Sequence, residues 1–102
     1  MASIRVEDDR EIREKVERGL GSKGKLRILR ELAKGPETLL TKYALERKTG
    51  LKPVDVRADL KGLIEIGWVV EHRYRVRKYQ LNNGDRILKE TIEYMREIGY
   101  LF

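Results

Sequence analysis

Apolar residues recur at helical spacing in four stretches of this chain and crowd together at strand density in a fifth. Asp8 and Asp9 precede a charged stretch whose regular apolar positions are Ile12, Val16 and Leu20, which predicts a helix with one narrow apolar stripe, ended by Gly19 and Gly21. Ser22 is placed to cap a second helix with Leu26, Ile28, Leu29 and Leu32 facing a core, stopped by Gly35 and Pro36. Thr41 reads as the N-cap of a short helix that ends at Thr49 and Gly50, and Leu51-Lys52 leads into Pro53, a favoured first residue of another helix. Two helices thus flank a tight glycine turn. In the later one Val56, Leu60, Leu63 and Ile64 share an inward face, and Gly67 closes it. Trp68 to Arg73 and Arg77 to Leu81 read as two strands around a basic turn. Asp85 then caps a last helix carrying Ile87, Leu88, Thr91, Ile92, Tyr94, Met95 and Ile98, an apolar band wider than a small domain needs.

Charge changes this picture. Lys23, Lys25, Arg27 and Arg30 form one basic patch and Arg73, Arg75, Arg77 and Lys78 another, and together they outnumber the net charge of +6, so the remainder is slightly acidic. Positive charge gathered in two short patches is the footprint of a phosphate binder. A length of 102 residues supports one domain, spanning 1–102, without a separate cofactor domain. The charged fraction of 39% with few Asn or Gln resembles proteins from hot environments. The chain has no cysteine, which removes disulfides, thiolate nucleophiles and cysteine zinc sites. MASIRVEDD lacks the apolar core of a signal peptide, and no apolar run nears the roughly 18 residues that span a bilayer, so a cytoplasmic, nucleoid-associated location with no membrane partner is expected.

LGSKGKLRILRELAKG, then LERKTGL, then the Val56, Leu60, Leu63, Gly67 pattern and WVVEHRYRVRKYQL, together resemble archaeal winged helix-turn-helix transcriptional regulators of the arsenical-repressor and multiple-antibiotic-resistance-regulator kind. The resemblance covers about residues 20–98. It implies a mainly α fold with a small β-hairpin wing, the helix-turn-helix at about 41–66, the wing at about 68–82, and terminal helices at about 8–19 and 85–99. It also implies a recognition helix at 53–66 in the major groove, a wing at 73–78 on the phosphate backbone or minor groove, and dimerisation through the terminal helices. Glu46, Asp55 and Asp59 depart from the small or basic residues such relatives carry.

At 100° per residue the outward face of the recognition helix presents Val54, Ala58, Lys61 and Glu65, flanked by Asp55 and Gly62 on one side and Arg57 on the other, with Lys52 just before it. Ala58 and Gly62 would let the backbone approach DNA, Val54 and Ala58 could touch thymine methyls, and Arg57 or Lys61 could reach guanine or phosphate. Asp55 either accepts from a cytosine amino group or repels phosphate. The plain alternative is a solvent-exposed face, or one that meets a protein. In the wing, Arg73, Arg75, Arg77 and Lys78 are expected on DNA, while Tyr74 lies along the backbone or packs on its own sheet. Lys23 and Lys25 open a helix whose free N–H groups suit phosphate, although Arg27 and Arg30 are also within reach of Glu31 and its neighbours. Trp68 reads as core. Ile87, Tyr94 and Ile98 with Leu88, Ile92 and Met95 form two adjacent seams, one left over for a two-fold partner that Ile12 and Val16 could join. The plain alternative is that the terminal helices cover each other.

GLGSKG satisfies G-x-G-x-x-G, and GLGSKGKL nearly satisfies the phosphate-loop pattern, but a helical stretch precedes both where a strand is required. His72 is the single histidine and has no carboxylate pair at ligand spacing, so it is assigned to the hairpin surface. The expectation is a homodimeric double-stranded DNA-binding regulator, not an enzyme, without cofactor or metal, and with no effector pocket legible. Its rivals are a winged-helix protein-interaction module, in which Asp55 and Asp59 meet a basic protein, and a weakly specific chromatin binder.

Overall fold

The computed structural model describes residues 9–35 and 37–101. Asp8, Pro36 and the first residues read for a signal peptide lie outside the described residues. The element order is α1 (Asp9–Leu20), α2 (Lys23–Leu32), β1 (Leu40–Thr41), α3 (Lys42–Thr49), α4 (Pro53–Glu65), β2 (Val69–His72), β3 (Lys78–Leu81) and α5 (Arg86–Glu97). Each cap expected from sequence has a geometric cause. The side chains of Ser22, Thr41 and Asp85 accept from the backbone N–H of Lys25, Ala44 and Leu88, each at 3.0 Å, satisfying donors that a helix start leaves open. Gly50 ends α3 at φ +74°, a left-handed conformation that permits the sharp turn into α4.

The core joins Ile28, Leu29 and Leu32 of α2, Leu45 of α3, Val56, Leu60 and Leu63 of α4, Trp68, Val69, Tyr79 and Leu81 of the hairpin, and Ile87, Leu88, Ile92 and Met95 of α5. Ile64 and Leu26, expected inside, are half-buried against it. β2 and β3 pair antiparallel with Val69 opposite Leu81 and His72 opposite Lys78, and β1 covers the other edge of β3, giving the order β1-β3-β2. The strands are shorter than expected. Trp68 N–H donates to Leu63 O at 2.9 Å, so it closes the helix, and Arg73 and Arg77 fall in the connecting loop. Among the described residues no helix is long and apolar enough to cross a membrane.

α1 lies on α2 and α4, with its last turn pressed on the hairpin root. A Cβ at Gly19 would overlap the Trp68 ring, so glycine is what permits this contact. Arg18 Nη2 to Glu65 Oε1 at 2.6 Å and Lys15 Nζ to Asp85 Oδ2 at 3.1 Å tie α1 to α4 and to the cap of α5. At the other end, Arg30 Nε donates to Tyr100 O at 3.0 Å and its guanidinium lies 5.4 Å from the Tyr100 ring centre, which seats the turn after α5 on α2. Arg27 donates to Thr49 O at 3.3 Å. Backbone carbonyls thus hold both arginines, and Glu31, their expected partner, pairs with Lys34 at 2.8 Å.

The proposed two-fold seam is narrower than the apolar pattern suggested. Ile87, Ile92 and Met95 are buried within the chain, and Ile12 and Val16 pack against the same core, because α5 and α1 both turn their main stripes inward. Of that set only Tyr94, 62% exposed, and Ile98, the C-cap of α5 and 58% exposed, face solvent, one turn apart.

Candidate nucleic-acid interface

Burying Val56, Leu60 and Leu63 leaves the opposite side of α4 in solvent, where Val54, Asp55, Arg57, Ala58 and Lys61 are all exposed, with Lys52 at the N-cap. Beside this face runs a groove of about 330 Å³ lined by Lys42 of α3, Arg57, Leu60, Lys61, Ile64 and Glu65 of α4, and Glu71, Arg77 and Tyr79 of the hairpin. Cations from three elements separated in sequence thus converge on one surface. Gly62 has a different use from the one read in the sequence. A Cβ there would stand 3.1 Å from Lys25 Cε and Nζ, so the missing side chain makes room for Lys25 on α2.

The wing loop displays Arg73, Tyr74, Arg75, Val76 and Arg77 in solvent, whereas Lys78 is half-buried as the first residue of β3. Its geometry is braced from behind. The His72 and Tyr74 rings stack at 5.6 Å with a 13° interplanar angle, and His72 Nε2 is 2.9 Å from Gln80 Oε1. Tyr74 is thus exposed and at the same time packed on its own hairpin, the second of the two readings above. Glu71 accepts from Arg73 Nε at 3.3 Å and from Tyr79 O–H at 3.1 Å, and lies 3.8 Å from Arg77 Nη1. Burial first, then the hydrogen bond and charge of Glu71, push the Tyr79 phenol above its usual 10.0, with Arg77 pulling the other way.

The α2 patch divides. Lys23 is exposed at the helix start, but Lys25 turns inward and donates from Nζ to Arg18 O at 2.7 Å, which satisfies a carbonyl at the end of α1. This uses one of the three donors of an ammonium that is half-buried rather than exposed. Asp59 also leaves the outward face and packs against Gly24, where a Cβ would collide with its carboxylate. Desolvation raises its carboxyl above the usual 3.8, Asp55 adds to the rise, and Lys25 opposes it. A folded-state value above the unfolded one means that the native protein holds this proton more tightly. Its contribution to stability is full below about 3.8 and is lost as pH rises through the higher folded value. Asp59→Asn is accordingly expected to raise stability at neutral pH and to flatten the acid-side dependence, measured by urea midpoints between pH 3 and 7. A mutant curve parallel to wild type would contradict this.

Two side-chain arrangements escaped the sequence reading. Tyr43 and Arg47, one turn apart on α3, are exposed with the guanidinium 5.7 Å from the ring centre and Nη1 donating to the Tyr43 hydroxyl at 3.2 Å. Their i, i+4 spacing just before the glycine turn was the available signal. The other is Glu71, which sits among the wing cations.

With this geometry in hand, the chain is similar in structure to NolR from Sinorhizobium fredii, with a TM-score of 0.74 at 19% sequence identity over 100% of both chains. It is also similar to an ArsR family transcriptional regulator, with a TM-score of 0.66 at 14% identity over 92% of this chain and 95% of that one. No protein-family model and no curated protein matches the sequence. The fold is a winged helix-turn-helix: α3 and α4 form the helix-turn-helix and β2–β3 the winged hairpin.

Proposed function

We propose that the chain is a double-stranded DNA-binding transcriptional regulator rather than an enzyme, with α4 in the major groove and the loop 73–77 on the backbone or in the minor groove. The observation that carries this reading is the convergence of Arg57 and Lys61 of α4 with Lys42 and Arg77 on one groove beside an exposed helix face. One structural neighbour is an ArsR family transcriptional regulator, which agrees with it. The interaction-module reading loses support, since its acidic face needed Asp59 beside Asp55 and Asp59 is turned toward α2. Phosphate contacts fall to Lys23, Lys52, Arg73, Arg75, Arg77 and Lys78, and base contacts to Val54, Asp55, Arg57, Ala58 and Lys61. Tyr94 and Ile98 are the centre of a two-fold interface, and a homodimer would set two α4 helices about 34 Å apart on a palindromic site in the cytoplasmic nucleoid.

The test is fluorescence-anisotropy titration of duplex DNA across a salt series, comparing random sequence with the region upstream of this protein's own gene. Expected are two chains per site, a log-log salt slope of several phosphate contacts, and binding ~10³-fold tighter on one site. Lys61→Ala should erode that preference more than it weakens binding to random DNA. Equal, salt-sensitive binding to both sequences would establish a chromatin-type binder, and no binding at low salt would discard the DNA reading.

A further inference from the structure

The acid at the base of the wing is placed against the cations that DNA binding would use. Glu71 and Tyr79 stand directly opposite each other in the β2–β3 register, so the backbone fixes where this carboxylate points. Its side chain is only 19% exposed, while its guanidinium partners Arg73 and Arg77 are 77% and 62% exposed. The same carboxylate lines the groove shared by Lys42, Arg57, Lys61 and Arg77. A carboxylate offers guanidinium two anionic oxygens, as a phosphate does, and an N–H directed at one is withheld from the other. The hairpin therefore carries a fixed acceptor of the right chemistry, aimed at two of the three arginines in its loop.

We infer that Glu71 is a built-in competitor for DNA phosphate, holding Arg73 and Arg77 in the free protein until a phosphate displaces it. This rests on the DNA-binding reading above and adds to it an element that sets affinity. Displacement leaves a carboxylate close to the DNA backbone, which either repels it or takes up a solution cation. Both effects weaken binding to every duplex alike, because the contact is to phosphate and carries no sequence information. Cation uptake also offsets part of the counterion release, so the wild-type salt slope is shallower than its phosphate contacts imply. Such a device holds down non-specific occupancy without touching base recognition.

The decisive variant is Glu71→Gln, which keeps the shape and an acceptor for Tyr79 but loses the charge. Glu14→Gln serves as control. It removes the same charge from α1, outside the groove, where Glu14 is 62% exposed and pairs with Arg18 and not with a wing arginine. Glu71→Gln is expected to bind random-sequence and preferred duplexes about fivefold tighter, by the same factor on each, with a salt slope steeper by up to ~1. Glu14→Gln should change affinity by less than about twofold. Spectrophotometric titration of the tyrosines should show one phenol moving to lower pH in Glu71→Gln, which reports that the Tyr79 contact existed, independently of DNA. Unchanged or weaker binding by Glu71→Gln while wild type binds would overturn the competitor role, as would an equal gain in Glu14→Gln. Absence of binding by both wild type and variant would overturn the DNA reading and this inference with it.

Discussion

Replacing Trp68 with alanine is expected to remove about 3–5 kcal/mol of folding stability, the range for truncating a fully buried large aromatic residue. Trp68 is 0% exposed and stands where α4 hands over to β2, with its N–H used to close the helix and its ring facing the glycine in the last turn of α1. Its loss opens a cavity where α1, α4 and the hairpin meet. A domain of this size has only about 5–15 kcal/mol to lose, so the variant should be marginal at 37 °C. Gly19→Ala probes the same contact from the other side by overpacking. Its methyl must displace the Trp68 ring, at a cost of about 1–3 kcal/mol. Urea unfolding followed by far-ultraviolet circular dichroism measures both. A loss below about 1 kcal/mol for Trp68→Ala would mean that α1 docks by other contacts and that this junction is not central to the core.

The helices were legible in the sequence because their signals are local. Ser22, Thr41, Asp85 and Pro53 mark starts by chemistry that acts within one turn, and Gly50 and Gly67 mark stops by positive φ. β1 was not legible. It is two residues long, too short for any periodicity, and exists only because β3 offers an edge to Leu40 and Thr41. The site divides along the same line. That Val54, Arg57, Ala58 and Lys61 face solvent follows from helical geometry, but the inward turn of Lys25 depends on the space over Gly62 and on a carbonyl of Arg18 brought near by folding. Glu71 was not singled out in the sequence, where it is one acid beside a basic run. Its three partners become evident only once the hairpin register sets Tyr79 opposite it. The width of the apolar band at α5 overstated what is left outside, because Ile87, Ile92 and Met95 are buried within the chain and Tyr94 and Ile98 are exposed.

Substituting Arg73, Arg75 and Arg77 together with alanine is expected to weaken duplex binding by about two orders of magnitude at moderate salt, from three guanidinium–phosphate pairs each contributing about 1 kcal/mol net of solvation. The log-log salt slope should fall by up to ~2.7, about 0.9 for each phosphate that the wing no longer neutralises. Because these arginines would meet the backbone, random and preferred sequences should weaken by the same factor, which separates the wing from Lys61. Stability should barely change, since all three side chains lie on the exposed loop and the ion pairs of Arg73 and Arg77 with Glu71 are solvent-facing. Glu71 makes the outcome non-additive. With its arginine partners gone the carboxylate remains in the groove as bare negative charge, so adding Glu71→Gln to the triple variant should restore part of the affinity. Undiminished binding by the triple variant, with wild type bound, would remove the wing from the interface and leave α4 to carry recognition alone.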